Sequence, residues 1–383
     1  MLPTDLHLPK AIHITPLFKG GRGDPPCPRL SRKACLSLGI TALALFPSAA
    51  QASLARIISV QGSVEIRRAT GTNFQRAFPG AALYGPDLLQ PTRGSRIMVV
   101  CPNGRTLWRV PAGTISAVNN GCPGTPAALK PEFGVGDLRG GSDPTLPYVI
   151  TPRQDLVLSP TPTLRWNPVE AATQYTVSLR TRRGTLWEVT TPESTLPYPD
   201  DQPELAPGTR YTLVVQADTG TSSTDDPPEL AFNLLAGEEA SEATEAIAAI
   251  RALDLPDLPK TLILVEDVYP RYQLTAAAIA DLETLISQGF ELAQVRRLLG
   301  DLYLRSGLRL LAEENYQRAI ALAFATDNLE EQVLAQYGLG TLYSRVGETA
   351  QAVAQLSEAQ DGADALGNAT LAADIAAELA ELP

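Results

Sequence analysis

From residue 53 onward this 383-residue chain has no histidine, two cysteines (Cys101, Cys122), two lysines (Lys130, Lys260) and one methionine, Met98. His7, His13, Cys27, Cys35 and the other three lysines all lie before that point. If the leader is removed, no Ser-His-Asp triad, His-ligated zinc site or imidazole acid/base can form in what is left. Two cysteines alone lack the third and fourth soft ligands a structural metal wants. Aromatics make up 6% of the chain, too few for a carbohydrate-stacking surface. No stretch approaches the roughly 20 apolar residues that span a membrane. A Ser–Lys dyad would need Lys130 or Lys260, and both sit in Pro-flanked linkers. Paired carboxylates for glycoside hydrolysis stay conceivable, but the acids fall in helical surface patterns and linkers. The sequence therefore argues against an enzyme and calls for no cofactor. From residue 53 there are 25 basic and 40 acidic residues. An acidic chain without basic residues interleaved with aromatics disfavours nucleic acid.

The N-terminus reads as a leader, 1–52. Arg29, Arg32 and Lys33 precede a 34–46 apolar run (ACLSLGITALALF), Pro47 and an Ala50-Gln51-Ala52 cleavage site, the layout of a signal peptide. Cys35 precedes the apolar run, so it is not a lipoprotein cysteine. Cleavage after Ala52 leaves Ser53 at the N-terminus; an uncleaved anchor is the alternative and would be the chain's only membrane contact. The first 28 residues are Pro/Gly-rich and unpatterned, as an upstream-annotated start would give, and the Arg22-Gly23-Asp24 triplet carries no weight. Export to the periplasm or cell surface means an oxidising compartment. There Cys101 and Cys122 would close a loop of about 20 residues; two separate buried thiols are the alternative.

Residues 53–130 read as short antiparallel strands. Arg56–Arg67 is β-branched and broken at Gly62, and 83–89 holds Gly85 and Asp87. Ile97–Cys101 runs into the hairpin turn Pro102-Asn103-Gly104, and Leu107–Val110 and Thr114–Val118 follow. The spacing Gly62-Ser63-Val64, Gly80, Leu83, Gly85-Pro86-Asp87, Thr92, Ser95, 97–100 and Asn103-Gly104 resembles the FecR-type periplasmic domain. In iron-transport regulators that domain relays a signal, behind a cytoplasmic segment and a membrane helix. The leader here is too short and proline-rich for that segment, so the resemblance implies a reused envelope module, with signal sensing as the alternative. Arg93, Arg96, Arg105 and Arg109 read as solvated strand faces. Residues 131–144 are a Gly/Pro/Asp linker whose glycines do not lead from a strand into a helix, which excludes a phosphate loop.

Residues 145–236 carry Trp166 in an early strand, an alternating Tyr175–Leu179, Leu186–Val189, Thr212–Ala217 and a last strand over 229–235. Leu205-Ala206-Pro207-Gly208-Thr209-Arg210-Tyr211 resembles the tyrosine corner of fibronectin type III and Ig-like sandwiches. The resemblance implies a β-sandwich with Trp166 in its core.

At residue 237 composition turns to Ala, Leu and Glu. An acidic helix over 238–253 is expected to end at Pro256 and Pro259, making 237–256 a helix and linker. From 257 to 383 the chain repeats at an offset of 40: Leu299-Gly300 and Tyr303 recur as Leu339-Gly340 and Tyr343, and Ala312, Tyr316 and Ala319 as Ala352, Leu356 and Ala359. A fainter copy 34 residues earlier holds Tyr269, Ala278 and Leu282, and 370–382 reads as a trailing helix. Within each unit the pattern resembles the tetratricopeptide repeat (TPR), implying about three hairpins in a solenoid. That resemblance places Gln294, Arg297, Asp301, Tyr337, Thr341 and Ser344 on a peptide-binding groove. The expectation is a multidomain exported chain: an all-β FecR-like module, a β-sandwich, then an all-α TPR-like solenoid. Its role would be that of a cell-envelope scaffold for protein partners; a cell-wall glycan-binding module is a further alternative.

Overall fold

A computed structural model describes residues 54–102, 104–125, 140–226 and 231–383. The leader, Asn103, most of the linker and the start of the expected 229–235 strand lie outside the described residues. The order is β first, then helices, and the parts pack as one compact unit.

The first module has β1 (Ala55–Gln61), β2 (Val64–Arg67), β3 (Gln75–Arg76), β4 (Ala82–Leu83), β5 (Leu88–Pro91), β6 (Arg96–Val100), β7 (Leu107–Arg109), β8 (Ser116–Ala117) and a short helix α1 (Val118–Gly121). They form two four-stranded sheets, β4-β1-β6-β7 and β3-β2-β5-β8. Gly62 separates β1 from β2 at a φ of 81°, the left-handed region glycine enters without strain. Ile57, Ile66, Leu89, Ile97 and Val99 fill the core. Cys101 and Cys122 are buried there as a disulfide, worth about 3 kcal/mol for a loop of this length. The expected strand 114–118 shrinks to two residues. Val118 instead starts a helical turn, its N–H donating to Asp87 O at 2.9 Å, and this turn carries Cys122 to its partner.

The second module has β9 (Val149–Thr151), β10 (Leu156–Val157), β11 (Leu164–Trp166), β12 (Tyr175–Thr181), β13 (Gly184–Thr191), β14 (Thr195–Leu196), β15 (Arg210–Ala217) and β16 (Phe232–Leu234). Sheets β10-β16-β15-β12-β13 and β14-β11-β9 face one core, with Trp166 meeting Tyr175 edge-on at 5.6 Å. Ala206 N–H donates to the Tyr211 hydroxyl at 2.7 Å, tying down the turn that precedes β15.

The helices are α2 (Gly237–Arg251), α3 (Asp257–Ile263), α4 (Thr275–Ser287), α5 (Ala293–Arg305), α6 (Arg309–Ala325), α7 (Leu329–Arg345), α8 (Thr349–Ala365) and α9 (Ala369–Glu381). Between α3 and α4 the chain continues as a π-turn, Leu264–Val268, and a 3-10 turn, Tyr269–Tyr272. The two prolines do not simply close α2. Pro256 caps α3 and Pro259 sits in its first turn, where a missing N–H costs nothing because no carbonyl waits for it. α6 and α8 sit 40 residues apart, and short loops set consecutive helices antiparallel. The twelve signature positions (Leu299 to Ala319, Leu339 to Ala359) are all buried. Tyr316, fully buried, explains the glycines. A β-carbon on Gly300 would stand 2.7 Å from its ring, and one on Gly338 of the next hairpin 2.6 Å from it. The same ring thus fixes both the hairpin and the stacking of hairpins.

Gly338→Ala weighs a propensity gain of about 1 kcal/mol against overpacking of about 1–3 kcal/mol. The Tyr316 ring has little room to retreat, because Gly300 also packs against it. The variant should melt below wild type in a thermal scan followed by circular dichroism. An unchanged or raised Tm would show that the ring has room.

Candidate functional site

The six groove positions fall on α5 and α7, and none is exposed. Gln294 is buried and points its amide at Gly80 O, 3.4 Å away. Arg297 donates to Glu331 and Asp301, each at 2.6 Å. Asp301 also accepts from the Tyr316 hydroxyl at 2.8 Å, so it supports the ring at the centre of the array. Thr341 is buried and donates to Glu378 of α9 at 3.1 Å. Tyr337 bonds the same carboxylate, and burial first, then Glu378, pushes its hydroxyl up to about 12. Ser344 is half-buried. Five of the six expected groove side chains thus already have partners within the chain, and Ser344 is the sixth. The reason is that first helices pack on one another directly, and that the first β module closes the near end.

The module meets the array along the edge made by the starts of α5 and α7 and the α8–α9 turn. Arg68, just past β2, makes a two-pronged contact with Glu330, Nε to Oε1 and Nη2 to Oε2, both 2.8 Å. Its Nη1 donates to Asp87 at 2.8 Å and to Ala82 O at 2.6 Å. Burial works against this charge, but Glu330 and Asp87 more than offset it and hold the guanidinium protonated. Asp87 also accepts from Ala69 and Tyr84 N–H. Arg56, wholly buried on β1, donates to Gly80 O at 2.7 Å and lies 2.8 Å from Glu266. Its Nε and Nη2 are buried without a hydrogen-bond partner, as is Asp267 Oδ2. Asn73 reaches Ala365 O at 2.8 Å. A cavity of about 110 Å³ remains in this seam, lined by Phe78, Tyr84, Glu266, Arg297, Glu331 and Leu334 among others.

The sandwich holds the opposite edge. Arg153 donates to Ser306 O at 2.9 Å, Asp155 accepts from Ala276 N–H at the start of α4 at 2.8 Å, and Leu310 N–H bonds Gly141 O. Arg165 grips Glu283 of α4 with both Nη atoms, and Glu283 also accepts from the signature Tyr303 at 2.7 Å. Tyr343 likewise donates to Glu313 of α6 at 2.7 Å.

Two carboxylates of the array, Glu330 at the start of α7 and Glu283 on α4, each take an arginine of the β half in paired hydrogen bonds. Sequence reasoning missed Arg56, Arg68, Glu266 and Glu330. Arg56 sits inside an apolar strand run, and no periodicity marks its neighbour across more than 200 residues. Gly80, noted in the sequence pattern, was the nearest signal. Among the described residues no group of three or more His, Cys, Asp or Glu is placed to hold a metal.

No protein-family profile matches the chain, and no curated protein matches it. Among solved structures, the crystal structure of MamA protein is similar at 20% identity over 37% of this chain and 82% of that one, with a TM-score of 0.26. At that score the fold description rests on the chain's own geometry.

Arg68→Ala would strand the buried Asp87 carboxylate, and breaking such a pair costs about 3–5 kcal/mol. Glu330, a quarter exposed, should cost about 1 kcal/mol or less on Glu330→Ala. Denaturant melts of both variants check the order; equal losses would mean that Asp87 is held by its backbone donors alone. A second prediction concerns pH. Burial raises the Asp267 carboxyl to about 6, with Arg56 opposing and Glu266 reinforcing the shift. The folded state therefore favours the protonated acid. That contribution is complete below about pH 4 and is lost as pH rises past the folded value. Asp267→Asn should gain on wild type by about 1–3 kcal/mol between pH 4 and 7.5, read from paired denaturant melts. A pH-independent difference would contradict the shift.

Proposed function

We propose that this chain is a non-enzymatic scaffold of the cell envelope, exported and holding other proteins against its helical array. The array is the observation that carries the reading. Two full hairpins share the Tyr316 spacer, and β modules brace both edges, so its stacked first helices are fixed in place. A surface held rigid before binding loses little entropy on binding, which suits a platform for partners. The glycine–tyrosine packing supports a TPR-like assignment of the hairpins. The Ala206–Tyr211 bond and the paired sheets support a fibronectin III/Ig-like assignment of the second module. The Gly62 and Gly85–Asp87 turns support a FecR-like assignment of the first. The buried Cys101–Cys122 pair supports export to an oxidising compartment.

The test is in-cell crosslinking with a photoreactive residue at Ser344, on the first-helix face of α7, followed by mass spectrometry of envelope fractions. Defined envelope proteins captured there, and not from a site on the second helix of that hairpin, α8, support the scaffold. Recovery of the chain only from cytosol, or substrate turnover by the purified chain, would overturn it.

A further inference from the structure

β13 ends its five-stranded sheet and pairs only with β12. The register runs unbroken through five pairs, from Tyr175↔Thr191 to Leu179↔Trp187. Trp187 and Val189 turn inward to the core, while Leu186, Glu188 and Thr190 alternate outward. Among the described residues no backbone group bonds its other side. Proteins blunt such edges with proline, lysine, bulges or inward charges. β13 has none of these along the five pairs; its one irregularity lies at the hairpin end, between Leu179 and Arg180 of β12.

That hairpin end is charged. Arg180 is next to last in β12, Arg182 and Arg183 form the turn, and Arg210 starts β15; all four are exposed. Arg180 pairs across to Thr212, two residues from Arg210, so the side chains gather on one end of the sheet. Among the described residues none of the four has an ion pair. The acid on β13 itself, Glu188, is engaged by the Ser178 hydroxyl at 3.0 Å. Elsewhere on the β half, Arg56, Arg68 and Arg165 each meet a glutamate.

We infer that the free edge of β13 takes an extended acidic segment of a partner protein as an added strand, its carboxylates lying at the Arg180–Arg183 and Arg210 end. The site rests on the scaffold reading and names one class of partner for it. Backbone hydrogen bonds along β13 supply affinity, as in other strand additions. The arginines supply charge complementarity, which selects the partner and speeds encounter. Leu186, 38% exposed, offers an apolar contact to one alternate side chain.

The probe is a synthetic peptide of alternating Val and Thr ending in three Glu, titrated into the full exported chain with amide hydrogen exchange read on β13. The expected result is slowed exchange within 185–191 and an affinity that falls about tenfold or more in R182E/R183E, with melting unchanged because both positions are exposed. An N-methylated version, which keeps the carboxylates but cannot complete a backbone ladder, should not bind. Equal binding of the methylated peptide, absence of protection on β13, or equal binding to the charge-reversed variant would overturn the inference. So would inorganic polyphosphate displacing the peptide from an unprotected β13, which would mark a site for anions alone. Because the probe acts on purified protein, failure here leaves the crosslinking test of the scaffold untouched, and the converse also holds.

Discussion

The arrangement depends on arginines reaching from the β half onto an acidic helical half. Residues 54–236 carry 16 basic and 16 acidic residues, whereas 237–383 carry 9 and 24. A helical body that acidic repels itself, and the repulsion is strongest where carboxylates crowd at helix starts and turns. Arg56 and Arg68 each bring a fixed positive charge to such a carboxylate, Arg165 to Glu283 within α4, and Arg153 to a helix-end carbonyl. Buried ion pairs are weak evidence for net stability, because desolvation cancels much of the attraction. What they fix is position. Arg68 binds Glu330 through two parallel bonds, and a sliding module would lose both together.

The seam is unequal along its length. At Arg68 every guanidinium nitrogen has an acceptor. At Arg56 two nitrogens have none, and Asp267 beside it has a bare oxygen. Unsatisfied buried groups carry a full desolvation cost, so the Arg56 end is the weaker of the two. Opening of the module away from the array would start there and leave the Arg68 end as the hinge. The pH response of Asp267 reports on that end.

Much of the helical half could be read from local pattern. The offset of 40 located α6 and α8, and Leu299-Gly300-Tyr303 located the buried stripe of α5, because hairpin packing is set by residues close in sequence. The paired sheets of the first module and the Cys101–Cys122 bridge followed from β-branched runs and cysteine scarcity. The surroundings of the six groove positions were not legible in this way. Whether Gln294 and Arg297 face solvent depends on Gly80 and on the neighbouring first helix, contacts 214 and 34 residues away. Periodicity says which face of a helix is apolar; it is silent on which polar face another module will cover. Gly338 carries no sequence signal for a related reason: it lies outside the repeated set, and only the Tyr316 ring from the preceding hairpin gives it meaning.

Bracing at both edges also decides which surfaces stay available. The first module covers the starts of α5 and α7, and the sandwich covers the α5–α6 turn and the start of α4. The array's free surface is thereby pushed toward α7–α9, where Glu378 ties Thr341 and Tyr337 to the last helix. The sandwich, in turn, meets the array through 141–165 and leaves β13 at the far edge of its larger sheet. The two regions proposed to face partners therefore sit on different modules of one compact unit. A partner held at either is held at a fixed distance from the other, and that is the property a scaffold needs and a loose string of domains lacks.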